Sequence, residues 1–293
     1  MKIRIGVGIG PETGPSEFGG IVDRLEETGV DSLWLSEHVY AGSVEPFVGM
    51  AHALSRTRRL KVGTSVAVLP GRHPVLVAKQ LASLAALAPK RVLPVFGLRP
   101  ARTAERALFP VADGRRAEVF DESLRLLRAM LTRETVDFAG EFFTVDSAGI
   151  APIPPAPLDI WLGGTAPAGL RRAGRYGDGW LGSFLPAEDA RRARETIQAA
   201  AAEAGREIEP DHFGLSLVLS DGGITPDLAA AARARHPGAD PADLVAGSWP
   251  DLHHLLDGYL AAGLTKFVVY HRGPQPFAEF LDRFAAELLP RQN

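Results

Sequence analysis

Leu60-Lys61-Val62-Gly63-Thr64-Ser65-Val66-Ala67-Val68-Leu69-Pro70-Gly71-Arg72-His73-Pro74 is the stretch whose reading decides the fold. Val62, Thr64, Val66 and Val68 alternate with smaller or polar residues, and β-branched side chains dominate, so the segment reads as a strand. Pro70-Gly71 breaks it. Pro74 then opens a helix to about Ala88, because a proline in the first helical turn gives up an N–H that would be unpaired there anyway. The result is one β/α unit with a polar tip, Arg72-His73, near the C-terminal end of its strand.

Outward from this unit the plan repeats. Ile3, Ile5, Val7 and Ile9 alternate as strand 1. After a loop rich in Gly and Pro, Ser16 is expected to cap a helix that stops at Gly29. Ser32–Ser36 forms strand 2, ending in Glu37-His38, and a helix over 46–56 leads back to the opening stretch. Strand 4 is Arg91–Phe96, followed by Gly97-Leu98-Arg99-Pro100. A helix over 115–131 shows Val119, Leu126, Leu127 and Met130 on one face. Phe138–Phe143 reads as a small hairpin around Gly140, and Ala151–Pro157 as a Pro-rich arm. Strand 5 (Leu158–Leu162), strand 6 (Gly179–Ser183), strand 7 (His212–Leu219) and strand 8 (Lys266–Tyr270) are each followed by a helix.

Residues 220–247 are the least regular and are read as a lid insertion within a single domain, 1–293. Alternating strands and helices give a parallel sheet. Eight units close most naturally as an α/β (β/α)8 TIM barrel, here with an extra segment around strand 7. A doubly wound open sheet is the competing fold.

Composition excludes several functions. The chain has 293 residues, a net charge of −3 and no cysteine. Disulfides, thiolate metal sites and a cysteine nucleophile are therefore ruled out, and a broad nucleic-acid footprint is not expected. No apolar run approaches the roughly 20 residues of a membrane helix, and the N-terminus enters a strand pattern with no signal peptide, so a cytoplasmic protein is expected. Gly8-Ile9-Gly10 lacks the third glycine of a dinucleotide fingerprint, since Thr13 stands there. No H-x-H or H-E-x-x-H spacing and no Gly-x-Ser-x-Gly elbow occurs, so neither a metal site nor a serine hydrolase is expected.

In a barrel the chemistry sits at the C-terminal strand ends. His38 can exchange a proton near neutral pH, and Glu37 precedes it; the bland reading is a structural pair. Gly163-Gly164-Thr165, between a strand and a helix, and Gly182-Ser183, ending the next strand, can receive a phosphate; the bland reading is a tight turn.

Four runs together carry a family likeness: Ser36-Glu37-His38, Val62-Gly63-Thr64-Ser65-Val66 with Arg72-His73-Pro74, Leu162-Gly163-Gly164, and Gly174-Arg175-Tyr176-Gly177-Asp178-Gly179-Trp180. With them the chain resembles the luciferase-like monooxygenase superfamily, and within it the branch of oxidoreductases that use the deazaflavin coenzyme F420. The resemblance implies a barrel with the ring bound at its C-terminal mouth and a non-proline cis peptide at Ser65–Val66 against it. It implies that Gly163, Gly164, Thr165, Gly182 and Ser183 hold the cofactor phosphate. It implies that Glu37 and His38 face the reacting carbon, with His38 taking a substrate hydroxyl proton while hydride leaves for the ring. A homodimer is also implied.

One departure stands out. After strand 4 the family usually carries a glycine-rich run and a carboxylate, and here Arg99 occupies that neighbourhood. Arg99 and His73 are accordingly candidates for an anionic substrate or the cofactor phosphate. The alternatives are an FMN-dependent two-component monooxygenase fed by a reductase partner, and a barrel that has lost its cofactor.

Overall fold

The computed structural model describes residues 2–293. Its strands are β1 (Arg4–Ile9), β2 (Ser32–Leu35), β3 (Lys61–Thr64), β4 (Ala67–Val68), β5 (Val92–Leu93), β6 (Val95–Gly97), β7 (Val136–Ala139), β8 (Thr144–Ala148), β9 (Trp161–Gly163), β10 (Gly179–Ser183), β11 (Phe213–Leu219), β12 (Val245–Ala246) and β13 (Lys266–His271). Its helices are α1 (Pro15–Thr28), α2 (Pro46–Arg56), α3 (Pro74–Leu87), α4 (Arg116–Thr132), α5 (Pro167–Tyr176), α6 (Ala187–Glu203), α7 (Pro226–Arg235), α8 (Trp249–Ala261) and α9 (Phe277–Leu288).

All strands but β7 and β8 form one curled parallel sheet in the order β4-β6-β9-β10-β11-β13-β1-β2-β3-β5, with β12 added beside β11. The fold is α/β. β3 pairs with β5 through Val62 and Val92, and β4 pairs with β6 through Ala67 and Phe96. The interruption between β3 and β4 is the cis peptide Ser65–Val66, where the resemblance places it. The interruption between β5 and β6 is Pro94, which has no N–H for the ladder. A side chain bridges the gap: Thr64 Oγ1 donates to the Val95 carbonyl at 2.7 Å and accepts from the Val95 N–H at 2.8 Å.

Helices cover the outside of the sheet, and the main core lies between the two layers. Fully buried members such as Val7, Leu33, Val62, Leu81 and Phe213 each add about 1.5–3 kcal/mol by leaving water. A second, smaller cluster, Trp34, Val95, Leu181, Val268 and Tyr270, fills the inside of the curl.

Several expectations need correction. Ser16 does not cap α1: Gly14 is the N-cap, with no side-chain bond, and Pro15 starts the helix. The Gly29 stop holds, with φ +77°. The fifth main strand begins at Trp161 rather than Leu158, because the Ile160 N–H is taken by Asp178 Oδ2 at 2.9 Å. The hairpin is longer than expected, and its turn is held by Glu122, whose carboxylate accepts the Glu141, Phe142 and Phe143 N–H groups at 2.8–2.9 Å. Within 220–247 the two Pro-led helical pieces are α7 and a 3-10 turn over Pro241–Asp243, and β12 then joins the sheet.

Candidate active site

A cavity of about 600 Å³ opens at the C-terminal ends of the parallel strands. It is lined by Glu37, His38, Ser65, Val66, Arg99, Gly163, Gly164, Thr165, Gly182 and Ser183. His73 is not brought there. It caps α3, with Nδ1 accepting from the Val75 N–H at 3.3 Å, and its ring meets the edge of Phe143 at 5.5 Å.

Glu37 is only 4% exposed. Its Oε2 accepts from the Val68 N–H at 2.8 Å and from Arg72 Nη1 at 3.0 Å, while Oε1 accepts from Arg72 Nη2. Both oxygens are thus committed to holding the end of β2 against β4. Arg72 is sandwiched further, with its guanidinium 4.9 Å from the Phe109 ring.

The cis Ser65–Val66 segment is tied down from two sides. Ser36 Oγ donates to the Ser65 carbonyl at 3.1 Å and meets the Tyr270 hydroxyl at 3.0 Å. Burial pushes the Tyr270 phenol up from its usual value, so it stays neutral. Room for its ring exists because residue 8 is glycine; a Cβ there would stand 2.4 Å from the ring. The Val66 side chain lies between two more glycines. A Cβ at Gly97 would come within 2.6 Å of Val66 Cγ2, and one at Gly163 within 2.7 Å of Val66 Cγ1.

Gly164 has φ +108°, and the space where a side chain would stand is empty. Trp180 Nε1 donates to the Gly164 carbonyl at 2.8 Å and so satisfies that oxygen. α5 begins just beyond, with no side-chain cap and no acidic residue in its first turn. Its orphan N–H groups and positive dipole end form an anion-binding junction.

His38 is half-buried beside this cavity. Its Nδ1 is sealed from solvent without a partner, which leaves Nε2 as the open ring nitrogen. Burial, and then repulsion from Arg102, lower its pKa below the ordinary 6.5, so the imidazole is neutral at neutral pH. Glu105 pulls the other way. That carboxylate went unnoticed in the sequence. It is wholly buried on the loop after β6, with Oε1 accepting the Tyr40 N–H at 3.0 Å and Oε2 left without a partner. An acidic residue does follow strand 4, displaced into a 3-10 turn over Thr103–Leu108.

A second cavity, about 480 Å³, lies at the opposite ends of the strands between Trp34 and Trp161. Arg4 and Lys61 there are paired with Asp31, and Lys266 with Asp211. It holds neither a glycine cradle nor an open helix start.

The family model described as luciferase-like monooxygenase matches residues 1–276. An F420-dependent glucose-6-phosphate dehydrogenase from Kineococcus radiotolerans is 27% identical, over 94% of this chain and 93% of the relative. An F420-dependent secondary alcohol dehydrogenase, solved with an F420-acetone adduct, superposes with a TM-score of 0.83 at 20% identity over all of both chains. The oxygenating constituent of 3,6-diketocamphane monooxygenase from Pseudomonas putida, a type II Baeyer-Villiger monooxygenase solved with FMN, superposes with a TM-score of 0.76 at 17% identity, over 100% of this chain and 99% of that one.

Proposed function

The chain belongs to the luciferase-like monooxygenase family, and from that premise we propose that it is an oxidoreductase moving a hydride between coenzyme F420 and a small organic substrate. The observation that carries the reading is that His38, kept neutral by burial, lines one cavity together with the glycine-lined anion junction. We read the sheet as a closed (β/α)8 barrel, since β3 with β4 and β5 with β6 are each one strand interrupted once. The segment between β11 and β13 is the extra element, and Leu228 and Arg235 of α7 reach the cavity as parts of a lid. Exposed Val48 and Leu76, on the adjoining α2 and α3, support a homodimer face.

The residues present suit such a cofactor. Val66, wedged between Gly97 and Gly163, offers an apolar wall for a flat ring. Gly164 and Thr165 leave open backbone at the start of α5 for a phosphate. When bound, the deazaflavin supplies a hydride acceptor. The chain then has three tasks. Ser36 and Tyr270 hold the Ser65 carbonyl, and through it the wall, in place. Glu37 and Arg72 lock the strand end that carries His38. Nε2 of His38 takes the hydroxyl proton of an alcohol substrate, and the Glu105 carboxylate favours the protonated ring that results.

The test is spectroscopic. Protein mixed with oxidised F420 and a panel of small alcohols, with glucose 6-phosphate included, is expected to bleach the coenzyme's visible band. Bleaching is expected to slow at least tenfold in His38→Ala. No bleaching with any alcohol, or equal rates in the variant, would refute the alcohol-oxidising form of the proposal.

A further inference from the structure

The loop between β6 and α4 is unusually basic. Residues 97–116 hold five arginines, Arg99, Arg102, Arg106, Arg115 and Arg116, against Glu105 and Asp113. Arg115 is neutralised by Glu118 and Glu141. Arg99, Arg106 and Arg116 are not: among the described residues no carboxylate stands within 4.0 Å of them. Arg116 donates only to carbonyls, those of Phe109 at 2.6 Å and Pro70 at 3.4 Å.

These three arginines line one hollow of about 360 Å³. The hollow adjoins the active-site cavity, since Leu98, Arg99 and Ala117 line both. Burial and the nearness of Arg99 and Arg106 lower the pKa of Arg116, which places the three guanidiniums in one electrostatic neighbourhood. Asp113 also lines the hollow, so three guanidiniums face one carboxylate that pairs with none of them within 4.0 Å, and the excess positive charge is left to a ligand. Arg99 lines both spaces, whereas Arg106 and Arg116 line the hollow alone, so a ligand that leaves the cavity holding the glycine junction on this side meets Arg99 first.

Resting on the F420 reading above, we propose that Arg99, Arg106 and Arg116 form a docking site for the oligo-γ-glutamyl tail of the coenzyme. Such a tail carries a carboxylate at every residue, and guanidinium forks match carboxylates two bonds at a time. The loop that replaces the family's glycine-rich run is in this light a tail site. It makes affinity depend on tail length.

The experiment is a fluorescence titration of the whole protein with two oxidised deazaflavins, one ending at the phospholactyl group and one with a long glutamyl tail. At about 0.05 M salt the tailed form is expected to bind about fivefold tighter, equivalent to about 1 kcal/mol. The advantage is expected to vanish at 1 M salt, where the screening length falls to about 3 Å. It is also expected to drop within about twofold of unity in Arg106→Ala and in the Arg99→Ala/Arg106→Ala double variant. The Arg106 side chain is exposed and forms no ion pair among the described residues, so the single variant folds and keeps its affinity for the tail-less form. If both deazaflavins bind equally well, or the advantage survives in the double variant, the tail site is refuted and the F420 reading stands. If neither form binds, both fall together.

Discussion

Replacing Glu37 separates a structural from a chemical role for the residue next to the proposed base. Glu37→Ala removes three charge-assisted bonds at once, from the Val68 N–H and from both Arg72 Nη atoms. Leaving one partner of a buried pair alone costs about 3–5 kcal/mol. The lower end applies here, for two reasons. The Arg72 side chain is 24% exposed, so water repays part of its lost charge partner. Arg72 also keeps its bond to the Val68 carbonyl and its place over Phe109.

About 3 kcal/mol corresponds to a fall in Tm of roughly 6 °C, at the 2 °C per kcal/mol that suits a chain of this size. The assay pairs a ligand-free thermal melt with turnover at saturating cofactor and substrate, measured well below the lowered Tm. The expected outcome is the Tm loss with kcat within about fivefold of wild type, because the chemistry stays on His38. A Tm unchanged within about 1 °C, joined to a kcat about a hundredfold lower, would refute the strut and place Glu37 in proton transfer.

Three further outcomes follow from the same geometry. Activity in alcohol oxidation is expected to be lost as pH falls through the His38 pKa, and the midpoint of that acid limb is expected below 6.5, since burial and Arg102 disfavour the charged ring; a midpoint at or above 6.5 would contradict this. Glu105→Gln removes the charge that raises the His38 pKa, so its pH–rate limb is expected to move further towards acid, whereas an unmoved limb would leave Glu105 as a merely structural residue. Gly163→Leu forces a side chain against Val66 Cγ1, 2.7 Å from where its Cβ must stand, and is expected to weaken cofactor binding at least tenfold by titration; equal affinity would contradict the cradle.

Local signals made the alternation of strands and helices legible. Pro74 at the first turn of α3, Gly29 in the left-handed region after α1, and the β-branched run over 61–68 each act through backbone physics that needs no distant partner. The strand ends were legible for the same reason, since the C-terminal edge of a curled parallel sheet collects them, and all the candidates except His73 line one cavity. His73 misled because a polar residue before Pro74 has two uses, and capping won. The start of β9 misled because Leu158–Ile160 has strand composition, yet Asp178, far along the chain, takes the Ile160 N–H. Glu105 was missed because nothing in Ala104-Glu105-Arg106 marks a buried acid; only the folded loop brings its Oε1 to Tyr40. The structural importance of Tyr270 depends on Gly8, 262 positions away, being too small to displace its ring.

The most direct measurement is a side-by-side fluorescence titration of the purified protein with oxidised F420 and with FMN. Tight F420 binding is expected, with FMN binding at least tenfold weaker. Tight FMN binding with F420 weak or absent would contradict it, and would move the chemistry at the same mouth to oxygen activation with a reductase partner.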